Sequence, residues 1–83
     1  MPHARLLVNA ELDVTCPDGT LKTKMVPSGR YLSVSKFVDN GDGTFDLHLR
    51  DGVAKNVNGT AFSIQGNVKR WTIRISRLSW RCH

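Results

Sequence analysis

"ARLLVNAELDVTC", residues 4–16, decides the fold class. Leu6, Val8, Ala10, Leu12, Val14 and Cys16 hold the even positions. Arg5, Asn9, Glu11, Asp13 and Thr15 hold odd ones, with Leu7 the exception. Successive side chains of an extended chain point to opposite sides, so this alternation describes a half-buried strand. The stretch is long for one strand. The expectation is a strand that bends or serves two sheets, as strands of small barrels do.

Working outward, the chain is punctuated by turn chemistry. In "PDGT" (17–20) the proline presets φ, and Asp-Gly supplies a position that tolerates positive φ. "LKTKMV" (21–26) alternates again, Leu21, Thr23 and Met25 against Lys22 and Lys24, so the first two strands are expected to form a hairpin. "PSG" (27–29) breaks the chain, and "RYLSVSKFV" (30–38) reads as a third strand rich in β-branched and aromatic residues. "DNGDGT" (39–44) is the strongest hairpin signal, because Asn-Gly and Asp-Gly both adopt left-handed dihedrals readily. "FDLHLR" (45–50) then alternates Phe45, Leu47 and Leu49 against Asp46, His48 and Arg50. Beyond the Asp51-Gly52 turn, "VAKNV" (53–57) reads as short and irregular, and "AFSIQ" (61–65) as a last strand before Gly66-Asn67. Nothing before residue 67 has helical periodicity.

Five short strands separated by glycine turns predict an all-β domain, and at 83 residues a single one. A chain this small buries only about 60–65% of its unfolded surface, so the core is thin. Closing the sheet into a barrel would remove exposed edges, and an antiparallel barrel of five or six strands is expected. Residues 29–65, "GRYLSVSKFVDNGDGTFDLHLRDGVAKNVNGTAFSIQ", resemble the middle of SH3-like and Sm-like small β-barrels. In those families a bent strand, a tight hairpin, a second strand and a short irregular turn precede the last strand. The resemblance is one of pattern. It implies a fold and carries over no functional residue.

The C-terminal stretch "NVKRWTIRISRLSWRCH" (67–83) admits three readings. As a strand it sets Trp71, Ile73 and Ile75 on one face, and Arg70, Thr72, Arg74 and Ser76 on the other. A one-residue bulge near Ser76–Arg77 then keeps Leu78, Trp80 and Cys82 on the apolar side. As a helix it aligns Arg70, Arg74, Arg77 and Arg81 beside Trp71, Ile75, Leu78 and Cys82, but leaves Ile73 and Trp80 exposed. The third reading is a tail packed on nothing. Local propensity favours the bulged final strand, because Thr, Ile and Trp prefer strands. Trp71 reads as core from its alternation with Ile73 and Ile75; Trp80 either closes the core or meets a partner.

Charge is distributed unevenly. Residues 1–51 hold all seven acids and six basic residues, a net charge of −1, whereas residues 52–83 hold six basic residues and no acid, a net charge of +6. A surface of one sign steers anionic partners towards it. Arginine presents a planar fork suited to phosphate, and basic residues interleaved with aromatics are how single-strand binders combine backbone attraction with stacking. The candidate binding residues are therefore Lys69, Arg70, Arg74, Arg77, Arg81 and Trp80, with Lys55 at the margin. The same arginines would also serve as the solvated face of an edge strand, where charge discourages aggregation.

Catalytic chemistry has little support. The sequence has no P-loop, dinucleotide fingerprint or Ser-His-Asp pattern. His48, beside Asp46 and Arg50, lacks a nucleophile and reads as a surface residue. Neither cofactor nor metal is expected. Asp39, Asn40 and Asp42 do not have the spacing of a calcium-binding EF-hand loop, and Cys16, Cys82, His83 and His3 lack zinc-site spacing. No run of roughly 18 apolar residues is present to cross a membrane, and no secretory signal pattern opens the chain. The expectation is a cytoplasmic protein without a membrane partner. A disulfide between Cys16 and Cys82 would tie the far end of the first strand to the C-terminus, but in that compartment two thiols are expected instead.

The sequence thus predicts a non-catalytic basic β-barrel that binds DNA or RNA. The alternative is a small inhibitor or adaptor, of the sort mobile elements encode, acting on an acidic or nucleic-acid-binding protein. A third class is a subunit that assembles through its sheet edges.

Overall fold

The computed structural model describes residues 2–66 and 82. It is all-β: β1 (His3–Leu6), β2 (Ala10–Thr15), β3 (Leu21–Val26), β4 (Tyr31–Ser33), β5 (Lys36–Asp39), β6 (Thr44–Leu49), β7 (Gly52–Asn58) and β8 (Phe62–Gln65). They form two antiparallel sheets, one of three strands in the order β4-β1-β8 and one of five in the order β3-β2-β7-β6-β5. Among the described residues the strands number eight rather than the expected five or six, and the sheets do not close into a barrel. The expected C-terminal strand, with Trp71 and Trp80, lies outside the described residues.

The alternating stretch at residues 4–16 does serve two sheets. β1 lies in the three-stranded sheet and β2 in the five-stranded one, with the change of direction at residues 7–9. The "PSG" turn holds that bend: the Ser28 N–H donates to Asn9 Oδ1 at 2.9 Å, and Ser28 Oγ donates to the Leu7 carbonyl at 3.2 Å. The expected third strand, residues 30–38, is divided in the same way. The Val34 N–H bonds the Pro2 carbonyl on the three-stranded side, whereas the Ser35 N–H bonds the His48 carbonyl on the five-stranded side. The chain therefore changes sheet between two consecutive residues, a step that alternation alone does not reveal.

Residues 53–57 are not an irregular turn. They belong to β7, which pairs with both β2 and β6. The irregularity is a bulge: Lys55 and Asn56 together face Asp46, and Asn56 takes a φ of +53°. One extra residue shifts the side-chain parity, so Ala54 and Val57 both reach the core despite odd spacing.

The core lies between the sheets. Ala4, Leu6, Leu32 and Phe62 come from one side; Leu12, Val14, Val26, Leu47, Leu49, Ala54 and Val57 come from the other, with Val34 at the crossing. The largest fully buried side chains are Leu6, Leu47, Val14, Val26 and Val34, all aliphatic. Phe62 joins the sheets: its ring stacks 6.1 Å from Phe37 and meets Phe45 edge-on at 5.7 Å, both partners belonging to the five-stranded sheet. Cys16 and Cys82 are also buried and form a disulfide, with Cα atoms 5.7 Å apart. This corrects the expectation of two thiols. That expectation came from the compartment argument, and the fold instead brings two residues 66 positions apart into bonding range.

Candidate functional site

Of the seven candidate binding residues, Lys55 alone lies among the described residues; Lys69, Arg70, Arg74, Arg77, Trp80 and Arg81 lie outside them. The structure puts Lys55 in an acidic setting. Its Nζ is 3.5 Å from Asp46 Oδ2, and across the sheet it stands opposite Asp13. Asp46 is the organising group there. Its Oδ1 accepts the Asn56 N–H at 2.9 Å and Asn40 Nδ2 at 3.0 Å. Those bonds, the Asn56 N–H first, and the Lys55 charge hold the Asp46 carboxyl below its ordinary pKa. The bulge that exposes the Asn56 N–H thus creates the pocket for the carboxylate. Lys55 completes this network, so its positive charge is partly spent within the protein.

The described body is electrically balanced. It contains Arg5, Lys22, Lys24, Arg30, Lys36, Arg50 and Lys55 against the seven acids. The net charge of +5 therefore resides entirely on Lys69, Arg70, Arg74, Arg77 and Arg81. The basic residues of the body are also dispersed: Arg5 lies over the Tyr31 ring at 5.9 Å, on the three-stranded sheet, while Lys22 and Lys24 belong to the far edge of the other. The stretch carrying the +5 charge follows β8, which among the described residues is at an edge of the three-stranded sheet, and precedes Cys82, which is bonded to Cys16.

The other sequence candidates resolve as structural features. Asp39 Oδ1 accepts the Gly41 N–H at 2.8 Å, and Asp42 Oδ1 accepts the Thr44 N–H at 3.0 Å. The loop carboxylates thus bond their own turn, with Gly41 and Gly43 at positive φ. The Thr44 hydroxyl and N–H together hold Asp42 below its usual pKa, and the Thr20 N–H does the same for Asp18 in the first hairpin. His48 lies half-buried on the outer face opposite Lys36, and its carbonyl accepts bonds from Ser35. His3 is buried in β1 rather than free at a terminus, with Nε2 3.4 Å from Ser33 Oγ and its ring edge-on to Tyr31. The disulfide removes both sulfurs from any zinc ligand set.

One feature of the surface escaped the sequence reading. Among the described residues β3 is an edge strand, and its pairing with β2 sets Lys22 and Lys24 on the face of Val14 and Leu12, the core side. Leu21 and Met25 consequently point outwards, 76% and 56% exposed. Lysines turned inwards on an edge strand are a known guard against edge-to-edge association. Alternation showed two faces, but only the register says which is buried. The chain matches no known protein family, no curated protein and no solved structure.

Proposed function

We propose that this chain is a non-catalytic small β-barrel of SH3-like type that binds nucleic acid through Lys69, Arg70, Arg74, Arg77 and Arg81. On this reading the C-terminal stretch is a bulged final strand, with the bulge near Ser76–Arg77. The arginines face solvent and Trp80 offers a ring on which a base stacks. The observation that carries this reading is the electrical one: a neutral folded body, with all the excess positive charge in one short acid-free stretch. Phosphate contacts dominate such binding, so sequence preference is weak.

A protein-binding inhibitor or adaptor is the second reading, favoured by the exposed Leu21 and Met25 on an edge strand. The test is binding of a fluorescent single-stranded oligonucleotide at about 50 mM salt, where electrostatic association is strong. The wild type binds, and Arg74→Glu/Arg77→Glu abolishes binding while leaving the thermal midpoint in place. Absence of binding by the wild type refutes the nucleic-acid reading. Capture of a cellular protein that survives nuclease treatment, in that case, supports the second.

A further inference from the structure

We infer that the Cys16–Cys82 disulfide is a buried structural lock, so that the fold matures in an oxidising compartment and resists reductants while native. Three independent observations lead there. The first is position. Cys16 follows β2, and Cys82 Sγ lies 2.7 Å from the Asp51 carbonyl oxygen in the β6–β7 turn. The bond therefore joins the end of one hairpin, the turn of another and the C-terminal end of the chain. The second is its seat. A Cβ on Gly52 would come within 3.3 Å of Cys82 Sγ, so a side chain there would press on the sulfur. The third is shielding: Cys16 is 4% exposed and Cys82 8%.

The core shows why a lock matters. Its largest fully buried side chains are all leucines and valines. Small domains with thin cores commonly need a covalent staple. A bridge between residues 66 positions apart closes a long loop, and a long loop is where cross-linking restricts the unfolded state most.

Formation is a two-electron oxidation. The thiolate of one cysteine attacks a disulfide-bearing oxidant, protein or small molecule, and a mixed disulfide forms with loss of one oxidant thiolate. The other cysteine then displaces the second, so the two chain thiols surrender two electrons and two protons to the oxidant. A compartment held reducing by dithiols drives the reverse reaction. This inference departs from the cytoplasmic expectation drawn from the sequence, and it is independent of the binding partner.

The experiment follows the full chain produced in an oxidising and in a reducing compartment. Protein from the former has no reactive thiol under denaturant, and its thermal midpoint falls by roughly 15–30 °C once a dithiol reductant has cleaved the bond. Cys16→Ser/Cys82→Ser shows the same low midpoint. Should that variant fail to fold, reduction kinetics of the wild type decide: the native bond is cleaved at least about tenfold more slowly than in denaturant, since opening must come first. Equal cleavage rates, an unchanged midpoint after reduction, or two free thiols in protein from the oxidising compartment would overturn the inference.

Discussion

Replacing Gly52 with alanine probes the glycine at which an added Cβ would meet its nearest neighbour most closely. Gly52 opens β7 at a φ of +156°. An added Cβ would lie 2.8 Å from the Thr15 carbonyl oxygen, 3.0 Å from Val14 Cγ1 and 3.3 Å from Cys82 Sγ. Carbon–oxygen contacts between strands settle at about 3.3–3.6 Å, so the shortfall against Thr15 is roughly half an ångström. That carbonyl cannot swing away as a flexible side chain would, because Thr15 is paired with Leu21 on one side and Val53 on the other. Overpacking of this kind costs about 1–3 kcal/mol, and an unfavourable φ adds about 1–3 kcal/mol. The expected loss is about 3 kcal/mol, a fall in thermal midpoint of roughly 12–24 °C for a domain of this size. Thermal and urea unfolding of the oxidised protein measure it. Gly66→Ala is the reference, since among the described residues nothing lies within 4 Å of a Cβ there. If Gly52→Ala matches Gly66→Ala within ~0.5 kcal/mol, the close approach at the β2–β7 junction is not as described.

Phe62→Ala should cost about 3–5 kcal/mol, because the ring is buried and is the aromatic joint between the sheets; urea unfolding reads it, and a loss below ~1 kcal/mol would mean that Phe37 and Phe45 hold the joint alone. Acid should weaken the fold in a defined window. The Asp18, Asp42 and Asp46 carboxyls are held below their ordinary values in the folded state. Their stabilisation is thus complete above the unfolded value of about 4, and is lost as pH falls through the lower folded values. Asp46→Asn should flatten the stability profile below about pH 4, and an unaltered profile would exclude Asp46 from that loss.

Much of the fold was legible in the sequence, and the parts that were not have physical reasons. The two-sheet role of residues 4–16 followed from length and alternation, and the hairpins at residues 17–20 and 39–44 followed from turn residues whose φ requirements are strict. The division of residues 30–38 was hidden because Val34 and Ser35 leave no composition signal; their hydrogen-bond partners, Pro2 and His48, are distant in sequence. β7 was missed because the bulge at Asn56 breaks the period of two on which strand reading rests. The disulfide was misjudged because compartment stood in for geometry. At the candidate site, the charge count grouped Lys55 with the C-terminal arginines, yet the β7 register gave it to Asp46 and Asp13. Charge counting did locate the excess: once the body proved neutral, the five residues from Lys69 to Arg81 accounted for all of it.

The salt dependence of oligonucleotide binding tests the central claim most directly. Each phosphate neutralised on a single strand contributes about −0.7 to the slope of log affinity against log salt. If all five basic residues from Lys69 to Arg81 engage phosphates, the slope is about −3.5, and affinity falls roughly 100-fold between 50 and 200 mM salt. Arg77→Glu should make the slope shallower by about one contact. No binding at 50 mM, or binding indifferent to salt, would contradict the account.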